Sequence, residues 1–155
     1  MVAALFSMNM TIFQAYENLK GIDIVGIASD IVRSDADIIV ELQKDQLMFG
    51  NDKSGTGITP QYRSDAYAEM KQAMNPRPEF GTPDLRLTGA FYNAMYLDFD
   101  SLEVTSSDPK TELLVEKYGS NGKYPIFGLS EFSIGRYRAI FNQKFFEQFM
   151  AHFSR

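Results

Sequence analysis

Between residues 50 and 89 the chain is interrupted so often that no long helix or strand can cross it. Gly50, Gly55, Gly57, Pro60, Pro76, Pro78, Gly81 and Pro83 fall in that stretch. Each glycine loosens the backbone and each proline removes an amide donor, so periodic patterns end there. Only Ser64 to Met74 reads as a short helix. A segment this long with little regular structure is uncommon inside a compact domain and is usually a functional loop. It is expected to be an arm or contact loop, mobile in the isolated subunit and ordered against a neighbour. Regular structure must then concentrate on either side of it, within one domain over residues 1–155 that shows no internal repeat.

On the amino-terminal side, Ile24, Ile27, Ile31, Ile38 and Leu42 recur near helical spacing with Asp30, Asp37, Glu41 and Asp45 among them. The pattern predicts one amphipathic helix from about Ile24 to Met48 with an acidic outer face, stopped by Gly50. A shorter helix from Thr11 to Lys20 precedes it and ends at Gly21. Beyond Gly89, Tyr96 to Asp100 and Leu102 to Thr105 alternate apolar and polar residues around Ser101, which predicts two antiparallel strands. Asp108 and Pro109 open a short helix ending at Gly119, with Asp as N-cap and Pro in the first turn. The last helix begins near Ser130 and runs to about Phe153. Within it Tyr137, Phe141, Phe145, Phe149 and Phe153 fall at i+4 steps, and Phe132, Phe146 and Met150 widen the apolar face. The aromatic stripe is expected to be mostly core, with the remainder on a partner surface.

Chemistry is constrained by what the chain lacks. There is no cysteine and one histidine, His152, near the end of the last helix. Without a second histidine or any thiol, the usual serine, cysteine and zinc sites cannot be assembled, so no catalytic residue, metal or cofactor is expected. Asp35 with Asp37 and Asp98 with Asp100 are read as solvated pairs. The loop from Asp52 to Gly57 resembles the start of a calcium loop, but its twelfth position is Arg63 where a bidentate Glu is required. Gly50 and Gly55 have phosphate-loop spacing, yet Thr56-Gly57 stands where Lys-Ser/Thr is needed.

A net charge of −5 disfavours binding to a phosphate backbone. The brief apolar start, Met1 to Phe6, has no preceding Lys or Arg, and no apolar run approaches the roughly 20 residues of a membrane span. Charge is also uneven. The stretch from Asp23 to Asp52 holds seven acidic residues against Arg33 and Lys44, whereas the end carries Arg136, Arg138, Lys144 and Arg155 against Glu147.

Two segments together carry a family resemblance. Leu85-Arg86-Leu87-Thr88-Gly89-Ala90-Phe91-Tyr92-Asn93-Ala94-Met95 resembles the Leu-x-x-Thr-Gly-x-Leu/Phe-x-x-Ser signature of tail-completion, or virion morphogenesis, proteins of tailed bacteriophages, with Ala94 where Ser is usual. Tyr124-Pro125-Ile126-Phe127-Gly128-Leu129-Ser130-Glu131 is similar to the segment that opens the last helix of that family, without its Arg before Phe127. The stretches Leu42 to Leu47, Gly50 to Gly55 and Ile58 to Tyr62 bring it nearest to a branch in phages and prophages of Bacteroidetes. There Asn51 stands where Ile is commoner. The likeness runs from about Ile38 to the end.

The resemblance implies an α+β fold, a small curved antiparallel sheet packed against a long helix with an extended loop arm. It implies a structural virion protein at the head–tail neck, made in the host bacterial cytoplasm. As a ring, commonly of six copies, it would contact connector or stopper and tail-tube or tail-terminator proteins, with no catalysis, sequence-specific nucleic acid or membrane involved. Subunit contacts are expected between acidic Asp35, Asp37, Glu41 and Asp45 and the last helix, with Arg136, Arg138, Phe141 and Phe145. An acidic face lining a DNA channel would serve equally well. A different class, a non-catalytic regulatory or nucleic-acid-associated phage protein, would use the basic face of Arg136, Tyr137, Arg138 and Lys144.

Overall fold

The structure, a computed structural model, describes residues 12–153. In chain order it contains α1 (Ile12–Lys20), α2 (Ile24–Ser34), α3 (Ala36–Met48), α4 (Asp65–Met74), α5 (Ala90–Asn93), β1 (Met95–Asp98), β2 (Glu103–Ser106), α6 (Thr111–Val115) and α7 (Glu131–Phe153). A wider π turn over Glu116–Ser120 continues α6. The class is α+β. Thr11, the apolar start of the chain and Arg155 lie outside the described residues.

The single helix expected from Ile24 to Met48 is two helices meeting at Asp35. Backbone bonds continue through the junction, Asp35 N to Ile31 O and Ile39 N to Asp35 O, each 3.0 Å. Asp35 itself, at φ −97° and ψ 15°, leaves helical geometry. Its carboxylate is turned inward to Lys144 Nζ and Tyr137 Oη on α7. The axis therefore bends where an acidic side chain is buried. At the other end of α3, Gly50 adopts φ +72° and donates to Leu47 O at 2.8 Å, while Asn51 N donates to Gln46 O at 3.1 Å. That paired closure, with glycine in the left-handed position, is why α3 stops where the sequence places its end.

The hairpin pairs Met95 with Ser106 and Leu97 with Val104, and these four residues are buried while Tyr96 and Glu103 face outward. The first strand is one residue shorter than expected and the second keeps its expected length, shifted by one residue. Leu102 N donates to Asp98 O at 2.8 Å and Asp98 Oδ1 accepts Asp100 N at 3.0 Å, so Phe99 to Leu102 form the turn. Both strands pack on α3, and α7 packs on α2 and α3. The core joins Ile39, Val40 and Leu47 of α3 to Phe91, Leu97, Val104 and Ile126, among others.

Capping follows the sequence at Ser130 and Ser64, whereas the N-cap expected at Asp108 falls on Lys110. Ser130 Oγ accepts Ser133 N at 3.4 Å to start α7, and Ser64 Oγ accepts Tyr67 N at 3.3 Å to start α4. Asp108 Oδ1 accepts Lys110 N at 2.8 Å, although regular helix begins only at Thr111 and widens into the π turn before Gly119 is passed. The aromatic stripe does not behave as expected. Its four phenylalanine rings stack along α7 with Tyr137 tilted against Phe141, centroids 5.7 to 6.2 Å apart, yet each ring is only half-buried, and Ser133 is the one residue of α7 buried outright. The core is already filled between α3 and the hairpin, so α7 lies outside it as a covering layer.

Two glutamines on α3 organise the loops around it. Gln43 is 0% exposed and Gln46 5%. Gln43 donates to Ile126 O at 3.1 Å and accepts Gly128 N at 2.9 Å. Gln46 donates to Asp52 O at 2.9 Å and Gly128 O at 3.0 Å, and accepts Ser130 N at 2.7 Å and Ser133 Oγ at 3.0 Å. Irregular backbone can be buried only if its amides and carbonyls find such partners. Gln46→Leu keeps the volume but strands several of these groups, and should cost about 3 kcal/mol. A urea midpoint equal to that of the wild type would refute the clamp.

Candidate functional site

The segment from Gly50 to Gly89 is not an extended arm. Ile58, Ala68, Pro78 and Pro83 are buried within it. At its start, Asp52 is 1% exposed and its carboxylate accepts Ser54 N at 2.8 Å and Ser54 Oγ at 2.6 Å. The calcium-like spacing is thus used for a self-contained turn. Further on, Lys71 Nζ lies 2.6 Å from Asp84 Oδ1, with both side chains almost fully buried, and also donates to Arg86 O. Asn75 Nδ2 bridges Asp84 Oδ2 at 3.0 Å and Met48 O at 2.8 Å, and Arg86 N donates to Asp84 Oδ1 at 3.1 Å. Tyr92 Oη donates to Asp84 O. Burial, and then the Asp84 charge, push the phenols of Tyr62 and Tyr92 far above the usual range. This network ties the segment back to the end of α3, which overrides the glycines and prolines.

Above the network lies a cleft of about 200 Å³ lined by Tyr62, Tyr67, Lys71, Arg86 and Lys110. It adjoins a wider one of about 770 Å³ that shares Tyr62, Tyr67 and Tyr118. Sequence reasoning missed this furrow. Its residues come from three separated stretches and no local periodicity links them.

The acidic and basic residues expected to meet between subunits meet within one. Asp35, 1% exposed, accepts Tyr137 Oη at 3.1 Å and pairs with Lys144. It is not a solvated partner of Asp37. Burial, followed by the Asp35 charge, drives the Tyr137 phenol well above its ordinary value. Arg136 NH1 lies 3.4 Å from Asp45 Oδ2, and Lys44 Nζ 2.8 Å from Glu41 Oε1. Arg138 is exposed, and Phe141 and Phe145 are half-buried in the ring stack. Asp37, Glu41, Asp45 and Arg136 border a groove of about 380 Å³ between α3 and α7, with Ile38, Leu42 and Ile140 as its apolar lining. Asp98 and Asp100 sit at the hairpin turn, where hydrogen bonds from Asp100 N and Ser101 Oγ hold the Asp98 carboxyl below its usual range. His152 is exposed, with Nδ1 2.9 Å from Gln148 O.

The residues that carry the family resemblance converge. Phe91 and Phe127 bring the two segments together with ring centroids 5.8 Å apart, Phe91 in the core and Phe127 partly buried against it. Leu85 turns the chain at φ +57° and Gly89 at φ +88°. Thr88 Oγ1 accepts Ala90 N at 3.3 Å, while Gly89 occupies the N-cap position of α5. Gly128 at φ +107° and Ser130 are held by Gln43 and Gln46, and Leu129 packs on the core. Among the described residues no group of three or more His, Asp and Glu could hold a metal ion, and no helix is long and apolar enough to cross a membrane.

These placements separate structural from accessible charges. Asp35→Ala should lower stability by about 2 kcal/mol, since it strands the Tyr137 hydroxyl and removes the Lys144 partner. Asp37→Ala should stay within about 0.5 kcal/mol of wild type. Equal urea midpoints for the two variants would contradict the assigned burial. Lys71→Met leaves Asp84 buried without its cation and should cost about 3 to 5 kcal/mol by the same measurement. Adding Asp84→Asn should recover part of that loss, and no recovery would remove the ion-pair account.

Compared with protein-family models, with curated proteins and with solved structures, the chain has no match.

Proposed function

We propose that the chain is a structural subunit of a tailed-phage virion, a tail-completion or head–tail joining protein that works as a ring at the neck. The observation that carries this reading is the packing of Phe91 against Phe127. It brings together the two segments on which the family resemblance rests, and places their signature residues in the framework of the domain. A signature that recurs because it maintains a shape suits an assembly subunit. The α+β class agrees with what the resemblance implies, although here the hairpin leans on α3 while α7 covers α2 and α3.

Partners on this reading are further copies of the chain and the connector or stopper and tail-tube or tail-terminator proteins on either side of the neck. The alternative, a regulatory or nucleic-acid-associated protein acting through the basic face of α7, is weakened by Arg136 and Lys144. Both are committed to Asp45 and Asp35, and only Arg138 of that face stays unpaired in the described contacts.

The reading is tested in the phage or prophage that encodes the chain. Deleting its gene should leave unjoined heads and tails in electron micrographs, with joining restored by the full chain supplied in trans. The protein should also be found by mass spectrometry in purified particles. Normal infectious particles formed without it would overturn the proposal.

A further inference from the structure

The fold gathers cations that the sequence scatters. Arg63 precedes α4, Arg86 precedes α5, Lys110 precedes α6 and Lys117 lies in the π turn, yet all four line the furrow and all are exposed. None of them forms an ion pair among the described residues, where the pairs use Arg33, Lys44, Lys71, Arg136 and Lys144. Arg86 meets the Met48 sulfur, a weak acceptor, at 3.9 Å, and Lys117 sits 4.8 Å from the centre of the Tyr118 ring. The acids on the walls are Glu116 and Asp108, whose Oδ1 accepts the Lys110 amide. Lys71 at the base is neutralised by Asp84. Four cations thus stand against two acids, the reverse of the whole chain, where 20 acids oppose 15 Lys and Arg.

The order of these groups along the furrow narrows the ligand. Arg86 and Lys110 border the end of about 200 Å³, Arg63 and Lys117 border the end of about 770 Å³, and Tyr62, Tyr67 and Tyr118 belong to both. Aromatic rings therefore lie between two pairs of positive charge. Tyr67 is 38% exposed and meets Tyr62 edge-to-face at 4.9 Å, so its ring is braced yet open to the furrow. Tyr118 is buried with Lys117 over it, and serves as wall. Leu87 and Leu113, 55% and 62% exposed, add apolar surface at the rims. A ligand that meets this pattern has a flat apolar unit in its middle and negative charge on both sides of it. An acidic peptide supplies the charge without the plane. A free mononucleotide has its phosphate on one side, and a duplex hides its base faces in the stack. A strand of unpaired nucleotides has a phosphate before and after each exposed base.

We infer that the furrow binds single-stranded nucleic acid, with a base stacked on Tyr67, one flanking phosphate at Arg86 and Lys110 and the other at Arg63 and Lys117. Every base has a flat face, so this contact is indifferent to sequence. The net charge of −5 opposes adhesion over the rest of the surface and confines binding to the furrow. The site is separate from the α7 face, where Arg136 and Lys144 are already paired. It goes beyond the neck-subunit reading and does not depend on it.

The test uses the full chain and fluorescence anisotropy with labelled thymidine and uridine oligonucleotides of about 12 residues, at about 50 mM salt. The wild type should bind one or both with a Kd of roughly 1 to 100 µM, the range of sequence-independent phosphate contacts. Two to four held phosphates give a slope of about −1.4 to −2.8 for the logarithm of the association constant against that of salt. Arg86→Gln with Lys110→Gln, and Arg63→Gln with Lys117→Gln, should each weaken binding by about tenfold and flatten the slope by about 0.7 per phosphate lost. Tyr67→Leu keeps apolar bulk without a flat ring, and should weaken binding on the order of tenfold with the slope unchanged. Arg138→Gln on α7 should bind as wild type does. Circular dichroism checks folding, and the two exposed charge variants keep the test decisive if Tyr67→Leu, which loses the Tyr62 contact, fails to fold.

No binding of either strand at about 100 µM protein would overturn the assignment. So would equal affinity for a duplex of the same length, displacement by polyglutamate of equal charge, or unchanged affinity in both charge variants. Thymidine monophosphate that displaces the strand at equal nucleotide concentration would show that one phosphate suffices, and would remove the two-sided site. Loss of binding in Arg138→Gln would move the contact to α7. Each of these results is independent of head–tail joining, so failure of the neck-subunit reading and failure of the furrow are told apart.

Discussion

Gln43 and Gln46 lie three residues apart on α3 and present their amides to the same side, where the irregular segment from Ile126 to Ser130 crosses the helix. A side-chain amide both donates and accepts, so one glutamine can match the alternating carbonyl and N–H groups of an extended backbone as a neighbouring strand would. Much else depends on that match. It sets where α7 starts, because Ser130 is bonded to Gln46 before it caps the helix. It places Ile126 and Phe127 against the core beside Phe91. Through Asp52 O it also anchors the turn that follows α3.

The electrostatic design follows the same logic of internal satisfaction. Asp35 and Asp84 are carboxylates that have left water, and each has a lysine and further hydrogen-bond partners around it. A buried charge left alone would be severely unfavourable, so the surrounding chain is constrained to supply those partners. Asp35 thereby bends the amino-terminal helix and draws α7 onto it. Asp84 draws the glycine- and proline-rich segment onto α4 and the end of α3. Of the acids along α3, Asp37 is exposed, whereas Glu41 and Asp45 pair with Lys44 and Arg136.

Local structure was legible wherever one residue decides it. Ser64 and Ser130 are caps because their side-chain oxygens reach the first amides of the following turns, and Gly50 ends α3 because it takes a left-handed conformation cheaply, whereas the cap expected at Asp108 falls on Lys110. The hairpin was visible in its alternation, though its turn proved to take four residues. The resemblance pointed to two segments, and their contact through Phe91 and Phe127 is a fact of the fold that spacing alone does not contain.

What the sequence by itself determined is therefore the caps at Ser64 and Ser130, the stop at Gly50 and the hairpin after Met95, all of which depend on neighbours within about four residues. Only the tertiary structure decided which polar residues are buried. Gln43 and Gln46 read as the outside of a helix until segments 82 to 87 residues away arrive to bond them. Asp35 reads as one of several surface acids until Lys144, 109 residues on, reaches it. The aromatic stripe shows the reverse. Its period announces an apolar face, but how deeply that face is buried depends on how much core α3 and the hairpin have already filled. Burial is a property of the whole packing, so it enters the sequence only through partners that no local pattern identifies.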